Sequence, residues 1–202
     1  MIDFKALWQT TTNRLIFVTI VIFFLVEALF AGGANTFELY SWQTPYFKIW
    51  QPFTYMFLHG GFTHLLFNMI GLWFFGQVIE KVWGWRTFLI FYVTCGLGAA
   101  LISQLIDHYI LGQVSLRMVG ASGAIYGILV AFAMLFPNHK IMLIFLPVPI
   151  AAKIFVPILL LIDLTGGLTG FSVFGGNIAH FAHIGGAVVG CVFCLIYKQK
   201  SS

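Results

Sequence analysis

Residues 122–136 read SGAIYGILVAFAMLF, preceded by Gly120-Ala121 and closed by Pro137. The run is apolar throughout, yet shorter than the ~20 residues that a helix needs to cross ~30 Å of hydrocarbon. Such a helix is either the core of a soluble domain or a submerged piece of a membrane protein. Composition decides between them. The 202 residues are 60% hydrophobic and 8% charged, whereas a soluble domain carries about 25% charge. A globule of this size cannot hide that many apolar side chains, so most of them face lipid.

Five further runs surround this one, and the spacing predicts six helices in a single membrane domain over residues 1–202. They cover about 14–33, 64–82, 87–106, 122–136, 153–170 and 179–197. Residues 1–13 are polar-mixed, and no small-residue cleavage site follows the first run, so a cleaved leader is not expected. Residues 34–63 form a loop holding Trp42, Tyr46, Trp50 and Phe53, with Pro45 and Pro52 between them. Aromatics of this kind sit at the headgroup level, and short interfacial helices are expected there. Pro147 and Pro149 break the apolar stretch 138–152, which is expected to be a partly embedded connection.

The formal charge is +4, but the basic residues are scattered, which excludes a nucleic-acid surface and reads instead as a topology signal. With the N-terminus inside, Lys5, Arg14, Lys81, Arg86, Lys140, Lys153, Lys198 and Lys200 are cytoplasmic, against Lys48 and Arg117 outside. Both termini are therefore expected in the cytoplasm. Cys95, Cys191 and Cys194 all lie in apolar runs. They read as small packing residues, not as a redox or metal motif. No metal or other cofactor is implied.

Polar groups inside spans are costly and mark function. His64 and Asn68 open the second run, Ser122 the fourth, and His180 and His183 the sixth. At about 1.5 Å per residue, the far ends at Glu80, Pro137 and Tyr197 lie roughly 24, 22 and 21 Å from His64, Ser122 and His183. Three helices thus converge on one polar layer below the outer surface. Backbone that descends to meet a submerged helix start is tolerated only beside protein or water. A water-filled cavity is the expected consequence.

Gly120-Ala121-Ser122-Gly123 puts a hydroxyl at a helix N-terminus, where unpaired N–H groups favour a developing oxyanion. Serine becomes nucleophilic through a base, most often histidine. Gly123-x-x-x-Gly127 and Gly186-x-x-x-Gly190 are small-residue faces that let membrane helices approach closely. Packing them together brings Ser122 to His183. Tyr126 shares the face of Ser122 and is placed to orient the imidazole. His64 and Asn68 share a face and, with the Ser122 N–H, are candidates for an oxyanion hole. No carboxylate is expected on the histidine, so the reading is a Ser-His dyad.

These motifs, GASG at 120–123, HLLFN at 64–68 and AHIGGAVVG at 182–190, resemble the rhomboid family of intramembrane serine proteases in order and spacing. Glu80-x-x-x-Gly84 is similar to a structural motif of that family. The resemblance covers about residues 14–197 and implies a six-helix bundle of the prokaryotic type in a bacterial inner membrane. It implies Ser122 as nucleophile and His183 as base, His64 and Asn68 at the oxyanion, Tyr126 stacked on the base, and transmembrane-helix proteins as substrates. Where the family often has Trp-Arg in its first loop, this chain has Trp50-Gln51.

Other readings are weighed against this one. An inactive rhomboid-like binding or quality-control protein usually lacks the serine or the histidine, and both are present. A metalloprotease would need His-Glu-x-x-His, and a transporter two related halves with broken helices; neither pattern occurs. His64 and Asn68 could instead glue helices together. His180 competes with His183 but is expected to be a cap or a solvent-facing residue, and His59 a loop hydrogen-bonder. Glu27 has no account at this level. Oligomeric state is not readable from the sequence.

Overall fold

The computed structural model describes residues 8–30, 36–112, 117–143, 146–170 and 179–201. Among the described residues, six longer helices carry the fold: α1 Thr11–Phe30, α2 Phe62–Trp83, α3 Trp85–Tyr109, α4 Ser122–Leu135, α5 Ala152–Thr169 and α6 His180–Ser201. Five are long and apolar enough to cross a membrane, and α4 is the shorter one. Their outward sides carry exposed Phe17, Phe24, Ile90, Leu101, Leu161 and Ile196. Apolar flanks of that kind need a lipid solvent, and the chain is a multi-pass integral membrane protein. Residues 31–33, placed above in the first span, and Lys5 lie outside the described residues.

The short helix is the innermost one. Nearly every residue from Gly123 to Phe132 is buried, and α4 packs chiefly against α6 and α3. By contrast only 17% of the α1 span is buried inside the protein, against 44% of α3 and of α6. Between apolar helices in lipid the hydrophobic effect contributes little, and packing and polar contacts hold the bundle. The sequence supplies both at definite places. A Cβ on Gly96 would meet Met56 at 2.2 Å, and one on Gly98 would meet Val189 at 2.4 Å.

The helix ends are fixed by polar side chains. The Thr10 hydroxyl accepts the Asn13 N–H (3.2 Å) at the start of α1, a capping arrangement. The Glu80 carboxylate, from α2, accepts the N–H of Thr11 (2.6 Å), the N–H of Thr12 (2.8 Å) and the Thr12 hydroxyl (2.6 Å). An anion at a helix N-terminus satisfies orphan donors and complements the dipole. Gly84 then turns the chain into α3 with φ +79°, a left-handed conformation that suits glycine.

A π turn at Leu72–Gly76 interrupts α2. Asn68 and Glu80 are both buried on this helix. Twelve positions apart, they would point about 120° away from each other in an unbroken α-helix of 3.6 residues per turn. The extra residue absorbed by the π turn reduces that angle to about 20°. One helix can therefore turn both polar side chains into the bundle.

Two small antiparallel ribbons supplement the helices. Leu39–Tyr40 pairs with Arg117–Met118, and Lys140–Leu143 pairs with Leu146–Ala151. The second ribbon occupies the stretch expected only to be a connection. It is tied back by Ala152 N–H to His139 O (2.8 Å) and Lys153 N–H to Pro137 O (3.0 Å). The first loop contains a helical turn, Gln51–Thr54, and a 3-10 turn, Tyr55–Phe57. Gln51, which stands where the family often has arginine, is fully buried. It donates to Tyr46 O (2.9 Å) and Thr36 O (3.3 Å), and accepts the Tyr40 N–H (3.2 Å). This amide knots the loop from within, while Tyr46, Ile49, Trp50 and Phe53 remain exposed.

Candidate active site

The loop before α4 is held from three sides. The Arg117 guanidinium grips the Glu38 carboxylate with two hydrogen bonds, one of them Nη2 to Oε1 at 2.9 Å. That carboxylate raises the Arg117 pKa further, through the hydrogen bond first and then its charge. Gln104 on α3 donates to Tyr40 O (2.8 Å), on the strand that pairs with Arg117–Met118 of this loop. Nearer the serine, Gly120 N–H donates to Tyr55 O (2.9 Å), and the Tyr55 hydroxyl donates to Gly96 O (2.7 Å). Gly120 has φ +121°. A Cβ there would collide with the His64 ring at 2.8 Å, so glycine is required for both the turn and the approach of His64.

Ser122 is the first residue of α4 and His183 lies in the first turn of α6. The Ser122 hydroxyl is 2.8 Å from His183 Nε2. Two glycine contacts bring them together. A Cβ on Gly186 would lie 1.8 Å from Gly123 O, and one on Gly190 would lie 2.7 Å from Gly127 Cα. Tyr126, one turn beyond Ser122, stacks on the imidazole with ring centroids 4.2 Å apart and an interplanar angle of 9°.

The expectation that no carboxylate reaches the histidine is corrected here. Asp163 Oδ1 is 2.9 Å from His183 Nδ1, so the pair is the core of a Ser–His–Asp chain. The same oxygen lies 2.7 Å from His180 Nδ1, and the other oxygen accepts the Tyr126 hydroxyl. Asp163, His180 and His183 are all buried. His180 is therefore neither solvent-facing nor a simple cap. The spacing of the serine and histidine motifs could not reveal Asp163, which sits 20 residues before His183 on another helix. A signal was present, since Asp163 is a lone acid in the apolar run ILLLIDLTGG, where a charge is costly without a role.

His64 is half-buried, and its Nδ1 accepts the Gly60 N–H at a long 3.4 Å. That tautomer leaves Nε2–H as a donor beside Gly120 and Ser122. Asn68 is buried, and its Nδ2 donates to His64 O (2.8 Å). One amide N–H is thus spent within the helix and the other is unassigned. His59 was expected to be a loop hydrogen-bonder. Instead its ring lies buried, edge-on to His64 with centroids 5.1 Å apart, and neither nitrogen makes a well-formed hydrogen bond. Burial first, and then His64, push its pKa down to about 3, opposed weakly by the Phe57 backbone. The ring stays neutral.

Asp163, His180 and His183 also offer three possible metal-ligand atoms within 4.8 Å of one another. Both Nδ1 atoms meet Oδ1 at proton-sharing distances, which fits hydrogen bonding. Glu27 is exposed on the last turn of α1, away from this cluster.

A polytopic helical bundle in which a serine at the start of α4 meets a histidine in the first turn of α6, with a carboxylate from α5 behind it, defines a narrow class. A family model described as the rhomboid domain matches residues 46–200, and the chain belongs to the rhomboid family. It is 30% identical over 187 residues to the rhomboid protease GluP of Bacillus subtilis (strain 168), covering 90% of this chain and 33% of that protein. It is 31% identical over 137 residues to the mitochondrial Rhomboid protein 1 of Saccharomyces cerevisiae, covering 68% and 38%. RHOMBOID-like protein 4 of Arabidopsis thaliana is 32% identical over 141 residues, covering 70% and 32%. The chain spans about a third of the length of these relatives.

Proposed function

We propose that this chain is an intramembrane serine endopeptidase, with Ser122 as nucleophile and His183 as general base. The observation that carries the reading is the 2.8 Å contact between Ser122 Oγ and His183 Nε2. In the first step Ser122 Oγ bonds to the scissile carbonyl carbon and its proton passes to Nε2. The carbonyl π pair moves onto oxygen. Collapse of that intermediate returns the proton from Nε2 to the leaving amine and leaves an acyl ester on Ser122, which water hydrolyses with the same histidine as base.

The oxyanion is held by the first N–H groups of α4, which have no intrahelical partner, with His64 Nε2–H and the remaining Asn68 N–H beside them. Tyr126 keeps the imidazole face aligned. The substrates are single-span membrane proteins cut near their outward end. The basic residues Lys81, Arg86, Lys140 and Lys153 lie toward the end away from Ser122, which supports a site in the outer leaflet under the positive-inside rule.

The test is cleavage of a panel of single-span substrates by the full chain in proteoliposomes, with labelling by a fluorophosphonate. Wild type cleaves and labels, and Ser122→Ala does neither. Near-wild-type proteolysis by Ser122→Ala refutes the assignment. An inert, unlabelled wild type would favour the alternative, a rhomboid-like binding or quality-control protein.

A further inference from the structure

We propose that Asp163 is a positioning residue for the reaction, the third member of a Ser122–His183–Asp163 chain. The inference rests on the reading of Ser122 and His183 given above. Three observations carry it. First, the carboxylate holds the nitrogen of His183 that faces away from the serine, Oδ1 to Nδ1 at 2.9 Å, while Nε2 faces Ser122 Oγ at 2.8 Å. A carboxylate accepts and does not donate, so it selects the tautomer with hydrogen on Nδ1. The lone pair on Nε2 is then aimed at the serine proton, as a general base requires.

Second, Asp163 is itself held still. His180 Nδ1 donates to Oδ1 at 2.7 Å, and the Tyr126 hydroxyl donates to the other oxygen. Tyr126 thereby clamps one imidazole in two ways, with its ring stacked on the face of His183 and its hydroxyl tied to the group on the edge of His183. Third, the helix interface is shaped for this approach. A Cβ on Gly166 would lie 2.7 Å from the His180 ring, and one on Gly167 would lie 2.8 Å from Phe181. Glycines at 166 and 167 let the start of α6 settle on α5 directly beyond Asp163.

The electrostatics give the carboxylate its work. When His183 takes the serine proton, a positive charge forms 2.9 Å from Asp163. Asp163 is 3% exposed, so water screens this attraction little, and the charge is stabilised as it develops. The Nδ1 proton stays on the imidazole while the Nε2 proton passes from serine to the leaving amine, and the carboxylate is never protonated in the cycle. His180 donates to the same oxygen but has no serine at hand, and it serves as the strut that keeps Asp163 from turning away.

The experiment compares wild type, Ser122→Ala, Asp163→Asn, Asp163→Leu and His180→Gln, as full chains in proteoliposomes. Steady-state cleavage, fluorophosphonate labelling rate and thermal unfolding are measured for each. Asp163→Asn keeps one oxygen as acceptor for Nδ1–H, removes the charge, and turns the atom that accepts from Tyr126 into a donor. Its kcat is expected to fall about 10- to 10²-fold, a part of what general base catalysis supplies, with KM and the unfolding temperature near wild type. Labelling slows in parallel. Asp163→Leu, which also removes the acceptor, falls further.

A purely structural role would lower the unfolding temperature and leave kcat per folded molecule unchanged. That outcome, or Asp163→Asn with wild-type kcat while Ser122→Ala is dead, overturns the role of Asp163 and leaves Ser122 and His183 in place. An inert wild type overturns both. If Asp163→Leu does not fold, the kcat of Asp163→Asn alone decides the question.

Discussion

The carbonyl oxygen of Gly123 occupies the space that a side chain on Gly186 would need, since a Cβ there would sit 1.8 Å away. Backbone meets backbone at this point, and the contact sets how closely α4 and α6 approach. Because Ser122 precedes Gly123 and His183 lies one turn before Gly186, the same contact sets the 2.8 Å between hydroxyl and imidazole. Gly186→Ala should therefore damage stability and chemistry together. Overpacking of this kind costs about 1–3 kcal/mol or more, and rigid backbone has no rotamer with which to yield. The expected result is a lower unfolding temperature and at least about a tenfold loss of cleavage, since a displacement near 1 Å can cost 10²-fold. Gly60→Ala is the control. Its nearest neighbours would be 3.9 Å from the new Cβ, and its unfolding temperature should stay within a degree or two. A Gly186→Ala protein with normal stability and cleavage would refute the contact.

His183→Ala should be as damaging as Ser122→Ala, and His180→Ala much milder. Both histidines bind the same oxygen of Asp163, but only His183 also reaches the serine. Removing His180 loosens Asp163 without removing the base. The double change Ser122→Ala with His183→Ala should cost little more than either alone, because groups acting as a unit are not additive. Rates of substrate cleavage for the four proteins check this. Loss of activity in His180→Ala with retention in His183→Ala would reverse the assignment.

Contacts along one helix, or between two motifs with matching glycine registers, were legible in the sequence. Ser122 and Tyr126 are four apart, as are His64 and Asn68, and the paired small-residue faces pointed to the α4–α6 crossing. Contacts that depend on how non-adjacent elements fold back were not legible. Asp163 reaches His183 only because α5 returns against α6. Glu80 caps a helix that begins 69 residues earlier. The ribbon of Lys140–Leu143 with Leu146–Ala151 contains Pro147 and Pro149, residues that read as breakers. Proline is tolerated there because a two-stranded ribbon consists only of edge strands. His59 reads as a polar loop residue, yet the fold buries it against His64.

Asn68→Ala should lower kcat by roughly 10²-fold or less, with KM little changed. One of its N–H groups is already bound to His64 O, so at most one remains for the oxyanion. The loss of one donor among several costs about 10²–10³-fold in an optimised hole, and the lower end applies when the helix N–H groups remain. His64→Ala should cost more, since it removes a donor and the ring that fills the space beside Gly120. Steady-state kinetics on one substrate separate the two. Full activity in either variant would assign that residue to helix packing instead.

Cleavage should depend on where a substrate sequence sits in its span. Ser122 opens a helix that is too short to cross the bilayer, with Leu135 as its last residue. Fourteen residues at about 1.5 Å each cover roughly 21 Å, and hydrocarbon is ~30 Å thick. With Leu135 at the far surface, the hydroxyl is expected several ångströms below the near one. A substrate helix cannot be attacked while its carbonyls are bonded within it, so the scissile segment must first unwind. In lipid every freed backbone group needs a new partner, and unwinding is least costly where the helix is already weak. Substrates with Gly or Pro in the outer third of the span should be cut fastest. A small residue before the bond should also help, because Gly120 and Gly123 flank the serine. The measurement moves one cut sequence through a model span of verified topology. Equal cleavage of a copy placed near the cytoplasmic end would refute the depth argument. Equal cleavage after the helix-weakening residues are replaced by leucine would refute the unwinding step.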